Sequence, residues 1–143
     1  MSTTKGFTLI ELLVVVGILG IISAIGVVSY TGYVESARRS SAENTILQVT
    51  LAQTEFFSTV STFYFTDPGQ NNCVPTLDSS DLIEQNLLGG SNVIGANNAD
   101  FQLCIDEDAN DANFYKVVAT SAASACIITW TNATGNVRDP NTC

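Results

Sequence analysis

A single carboxylate, Glu11, stands at the head of a run with no other charged side chain until Glu35. A carboxylate carried into a bilayer core costs about 2.5–3.5 kcal/mol on insertion scales, so Glu11 is a candidate functional group in need of a partner. Phe7 lies four residues before it, and helix positions i and i+4 share a face. Negative charge near a helix start also suits the dipole. Gly6 has no side chain, so an extended backbone there can enter a cleft closely. Four cysteines, Cys73, Cys104, Cys126 and Cys143, all follow the apolar run, and none is in CxxC spacing. The chain has no His. That removes Ser-His-Asp and Cys-His catalysis and a favoured metal ligand. A zinc site would need all four thiolates at odd separations, so disulfides are expected, and four cysteines allow three connectivities. The run Asp106-Glu107-Asp108-Ala109-Asn110-Asp111 offers many oxygens. Its sixth position is Asp111 rather than Gly and its twelfth is Val117 rather than Glu, so it is not an EF-hand. It reads as a solvated turn, with no metal assigned to it and a calcium-binding loop as the alternative.

The elements that position these groups can be read from the pattern. Residues 12–34 contain no charge over 23 positions. As a helix this run is about 35 Å long, enough to cross a hydrocarbon core of roughly 30 Å. It is apolar all round, so it requires lipid or burial. Lys5 precedes it and no basic residue follows until Arg38, which favours a cytoplasmic amino end. The run is too long for the h-region of a cleaved signal peptide, and Glu11 sits where such a peptide carries positive charge. Beyond it, Ala42, Ile46, Val49, Gln53, Phe56, Val60 and Phe63 alternate four and three apart, the spacing of one helix face. This amphipathic part is expected over 35–65, with Pro68 ending the pattern.

Residues 66–100 read as an irregular connection holding one short helix, about 79–88. Asp81 and Glu84 have capping spacing, and Gly89-Gly90 would stop the helix. Three strands are expected at 101–105, 114–120 and 126–131, followed by a turn at Gly135-Asn136. A small antiparallel sheet laid on the helix would bury the Phe56–Phe63 face, an α+β arrangement. The formal charge of −9, from 5 basic and 14 acidic residues, argues against nonspecific nucleic-acid binding.

The segment Lys5-Gly6-Phe7-Thr8-Leu9-Ile10-Glu11-Leu12-Leu13-Val14-Val15-Val16 resembles the signature of type IV pilins and pseudopilins. That signature is a short polar leader ending in Gly, then Phe, then Glu five positions into the mature chain, then an unbroken apolar helix. The likeness is strong over about residues 1–40; beyond that it is a matter of outline, a long helix and a small cysteine-containing head. It implies a six-residue leader (1–6), as in the type IVa branch, removed between Gly6 and Phe7 by a membrane prepilin peptidase. The same enzyme methylates the new amino terminus of Phe7. An assembly helix over 7–34 and a head over 66–143 follow from the same resemblance. The partner it implies for Glu11 is the Phe7 amine of an adjacent subunit in a homo-oligomeric filament. It implies a carboxy-terminal loop closed by Cys126–Cys143, which pairs Cys73 with Cys104. It implies a precursor in the bacterial inner membrane, delivered by its assembly machinery to a surface pilus, with no catalytic residue and no cofactor. Minor pilins and secretion pseudopilins share these marks. A single-span anchored binding module would lack cleavage and assembly.

The span also carries Gly17, Gly20 and Ala24 on one side, small residues that let membrane helices approach closely. Many pilins have Pro where this chain has Val28, so that helix breaker is missing, although Gly20, Gly26 and Gly32 remain.

Overall fold

A computed structural model of the chain describes residues 6–69, 72–90, 94, 100–108, 111–122 and 125–138, with backbone alone at 27–29, 108, 111–113 and 136–138. Helix α1, Leu9–Val60, runs 52 residues. Its backbone is helical through Val28, where the expected breaker is absent. The chain forms two units, one up to Ala37 and one from Arg38 onward, and α1 contributes to both. In the first unit every described apolar side chain from Phe7 to Ile25 is exposed. The helix is long and apolar enough to cross a membrane, with a mean hydropathy of 2.7 over its most apolar window and none of that window buried within the chain.

The second unit is α+β. A short helix, α2 (Leu77–Asn86), precedes four strands: β1 (Phe101–Asp108), β2 (Asp111–Ser121), β3 (Ile127–Thr131) and β4 (Gly135–Arg138). They form one antiparallel sheet in the order β1-β2-β3-β4. Phe101, Leu103 and Ile105 of β1, Tyr115, Val117 and Ala119 of β2, and Ile128 of β3 alternate onto one face and are buried. Ala42, Ile46 and Val49 of α1 and Ile83 of α2 complete this core. The helical spacing read from the sequence is thus the core-facing side of α1 from Ala42 to Gln53, whereas Val60, expected under the sheet, is 51% exposed because the helix ends there and the chain turns back.

Four local features depart from the sequence reading. First, α1 ends at Val60, before Phe63 and well before Pro68. The Ser61 N–H still bonds the Phe57 carbonyl at 2.8 Å, and Ser61 then adopts a left-handed backbone with φ 63°. That conformation costs a non-glycine residue about 1–2 kcal/mol. Gln53 holds the reversal in place. Fully buried, its amide donates to the Tyr64 carbonyl at 2.6 Å and accepts from the Tyr64 N–H at 2.9 Å. A residue read as part of the apolar stripe is therefore a clamp. Replacing Gln53 with Leu strands both Tyr64 groups, and the full chain in detergent is expected to lose about 2 kcal/mol in chemical denaturation.

Second, α2 is capped by Thr76 and Ser79 rather than Asp81 and Glu84. The Thr76 hydroxyl accepts from the Ser79 N–H at 3.1 Å, and the Ser79 hydroxyl accepts from the Thr76 N–H at 2.8 Å. The helix begins two residues earlier as a result. Gly89 and Gly90, at φ 73° and 70°, stop it as expected, and the Gly90 N–H returns to the Glu84 carbonyl at 2.8 Å. Third, Gly135 does not merely mark a turn. At φ 80° it pairs with Thr131, closing a three-residue loop and opening β4.

Fourth, Asp106 is no part of a solvated turn. It lies within β1 on the face opposite Leu103 and Ile105, fully buried. Its carboxylate accepts from Lys116 Nζ at 3.2 Å, from the Cys73 N–H at 2.9 Å and from the Glu107 N–H at 3.0 Å. Asp106 and Lys116 sit directly opposite across the β1–β2 ladder. On the same face Cys104 is joined to Cys73 by a disulfide 31 residues apart in sequence. A loop of that size contributes about 3–4 kcal/mol in the chain-entropy account.

Aromatic rings link the end of α1 to the sheet. Phe57 stacks on Phe63 at 4.6 Å between centroids, Phe63 packs on Tyr115 at 4.7 Å, and Tyr115 on Trp130 at 5.6 Å. Burial raises the Tyr115 phenol, opposed by a hydrogen bond with Thr50, and raises the Tyr64 phenol, opposed by one with Asn86. Both shifts favour the neutral phenol in the folded state. Above the ordinary value of about 10 the unfolded chain ionises first, so stability is undiminished below pH 10 and falls as pH rises past it. Denaturant midpoints measured from neutral to strongly alkaline pH should stay level and then drop.

Candidate functional site

Gly6, Phe7 and Thr8 precede the first helical residue, Leu9, and carry no secondary structure. Phe7 is 84% exposed, and a Cβ built on Gly6 would meet nothing within 4 Å. The Gly6–Phe7 bond thus lies in an open, non-helical stretch, the form in which a peptide enters a protease cleft.

Glu11 closes the first turn of α1. The Thr8 N–H donates to Glu11 Oε2 at 3.2 Å, and the Thr8 hydroxyl donates to the same oxygen at 2.9 Å. In return the Glu11 N–H donates to Thr8 Oγ1 at 3.3 Å. This is a reciprocal capping box, Thr8-Leu9-Ile10-Glu11, satisfying amides that the helix start leaves without intrahelical partners. The sequence reading missed Thr8, although a Thr followed three places later by Glu before an apolar run is the local signal for such a box. The box holds the carboxylate beside the first turn, one turn from Phe7. Within one chain its partner is Thr8, and the amine of Phe7 exists only once the bond before it has been cut.

The Gly17, Gly20 and Ala24 stripe is open. A Cβ added at either glycine would touch no other atom within 4 Å. Arg38, just beyond the apolar run, pairs through Nε with Asp100 Oδ2 at 3.0 Å. Among the described residues no group of three or more His, Cys, Asp or Glu side chains converges as a metal site. Asp106 is taken up by Lys116 and two backbone amides; Asn110 of the same acidic run lies outside the described residues. Cys126 is buried and disulfide-bonded, whereas Cys143 lies outside the described residues, as do residues 1–5 of the leader expected over 1–6.

Residues 1–27 match the model of the prokaryotic N-terminal methylation motif. The chain therefore carries the prepilin-type, type IV pilin signature, placed on a long apolar helix. The motif supports a type IV pilin-like or pseudopilin precursor, and the apolar amino-terminal helix fits a membrane-anchored one. No curated protein and no solved structure matches the chain.

Proposed function

We propose that the chain is the precursor of a pilin, a structural subunit of a bacterial type IV pilus. Prepilin peptidase removes 1–6 between Gly6 and Phe7 and methylates the Phe7 amine. The inner-membrane assembly machinery then polymerises the mature chain through 7–34 into a surface filament. The observation that carries this reading is the methylation motif over 1–27, set on a helix whose apolar surface is exposed among the described residues. Such a surface is stable in lipid or against copies of itself. In the filament, the Glu11 carboxylate takes the Phe7 amine of a neighbouring subunit as its partner, and the small-residue stripe allows close helix approach. Cleavage also removes Lys5, leaving 4 basic against 14 acidic residues. Like-charged heads repel, so cohesion falls to the buried helices. A Cys126–Cys143 bond closing the carboxy-terminal loop belongs to the same proposal. The role is packing plus one charge pair, with no reaction catalysed.

The test is the intact mass of the protein purified from its native envelope. The expected mass corresponds to a chain that begins at Phe7, bears one methyl group and contains two disulfides. A product that still begins at Met1 and stays monomeric overturns the proposal. Abundance in sheared surface material separates a main filament subunit from a minor pilin or a secretion pseudopilin.

A further inference from the structure

The central part of the outer edge of β1 is closed without a fifth strand. In an antiparallel edge strand, alternate residues turn their N–H and C=O away from the sheet and present a template for another chain. On β1 these are Phe101, Leu103, Ile105 and Glu107, and the stretch from Leu103 to the Glu107 N–H is the one closed here. The Leu103 N–H donates to the Ser80 hydroxyl at 3.0 Å, and its carbonyl accepts from the Ser79 hydroxyl at 2.6 Å. The Ile105 N–H donates to the Thr66 hydroxyl at 3.1 Å. Its carbonyl accepts from the Thr66 N–H at 3.0 Å and from the Thr66 hydroxyl at 2.9 Å. The Glu107 N–H is taken by the Asp106 carboxylate at 3.0 Å. From Leu103 to the Glu107 N–H, each outward group therefore has a partner within the chain.

The partners come from three separate places: the segment after α1, the first turn of α2, and β1 itself. The Thr76–Ser79 box sets where α2 begins, and so brings Ser79 and Ser80 level with Leu103. The Cys73–Cys104 disulfide and the Cys73 N–H bond to Asp106 tie the intervening segment to the same strand. Leu103 and Ile105 belong to the buried core, so an uncapped edge here would expose apolar β-structure of the kind that recruits a second copy.

We infer that Thr66, Ser79 and Ser80 are an edge-blocking device, which keeps copies of this chain from joining through β1. The device acts whether or not the chain polymerises through its helix, so its test is independent of filament formation. In the full wild-type chain in detergent, hydrogen exchange should find the Leu103 and Ile105 amides as slow as those of the central strand β2. Exchange at the fast rate of a solvated edge overturns the inference. The paired substitutions Thr66→Val and Ser80→Ala remove the hydroxyls with little change in shape. They should speed exchange at Ile105 and Leu103 at least about tenfold, since one lost hydrogen bond of about 1.4 kcal/mol is a factor of ten. The variant should also form β-rich, thioflavin-binding oligomers at concentrations where wild type does not. A double variant that folds, exchanges as slowly as wild type and stays equally dispersed overturns the inference as well. Wild-type exchange decides the matter should the variant not fold.

Discussion

Replacing Glu11 with alanine is expected to leave cleavage after Gly6 intact and to abolish filaments. The reasoning is energetic. Inside a bundle of apolar helices a carboxylate costs about 2.5–3.5 kcal/mol unless paired, and a cationic Phe7 amine from the neighbour offsets that cost. Glu11→Ala removes that cost along with the carboxylate but leaves the neighbour's Phe7 amine buried among the helices without its counter-ion, which costs about 3 kcal/mol, so each docking equilibrium falls about a hundredfold. The capping box supplies an internal control. Glu11→Ala also removes two hydrogen bonds to Thr8. That loss is worth about 1 kcal/mol to the helix start, little against 52 residues of helix. Thr8→Val removes the hydroxyl contacts and keeps the charge. Electron microscopy of sheared material, with immunoblotting for the processed chain, should therefore find filaments from Thr8→Val and none from Glu11→Ala. Normal fibres from Glu11→Ala would end the pairing argument; loss in both variants would assign the role of Glu11 to capping.

Asp106→Asn should be the most damaging isosteric change in the sheet-bearing unit. The carboxylate is fully buried and holds one cation and two backbone amides. Neutralising it leaves the Lys116 side chain, only 21% exposed, without this countercharge. Breaking such a pair costs about 3 kcal/mol, the low end for buried pairs because Lys116 retains some access to water. Chemical denaturation of the full chain in detergent, followed by Trp130 fluorescence, reads the change. Adding Lys116→Met to Asp106→Asn should recover part of the loss, because the half-buried charge is then gone together with its neutralised partner. Equal stability of wild type and Asp106→Asn would show that the pair contributes nothing.

The amino-terminal motif was legible because its residues are local. A Gly, a Phe and a Glu at fixed spacing before an unbroken apolar run define the motif without reference to anything distant. The long helix was legible for the same reason, since an apolar surface all round and then a four-three stripe are properties of consecutive residues. Strand positions followed from alternation in β1, β2 and β3. What could not be read was set by partners far along the chain. Gln53 looks like one more stripe position until Tyr64 folds back onto it. Asp106 looks like surface acid until Lys116 is brought opposite it and Cys73 onto its face.

Sequence alone determined the methylation motif, the membrane-length helix, the Ala42–Gln53 part of the α1 face that is buried, and the glycines that stop α2. Each rests on contacts within a turn or two, or on hydrophobic periodicity, and neither needs a third dimension. Tertiary structure alone decided where α1 ends and which groups close the edge of β1. In those cases the competing local choices differ by only about 1 kcal/mol. A hydrogen bond from a residue 11 to 39 positions away is then enough to select among them.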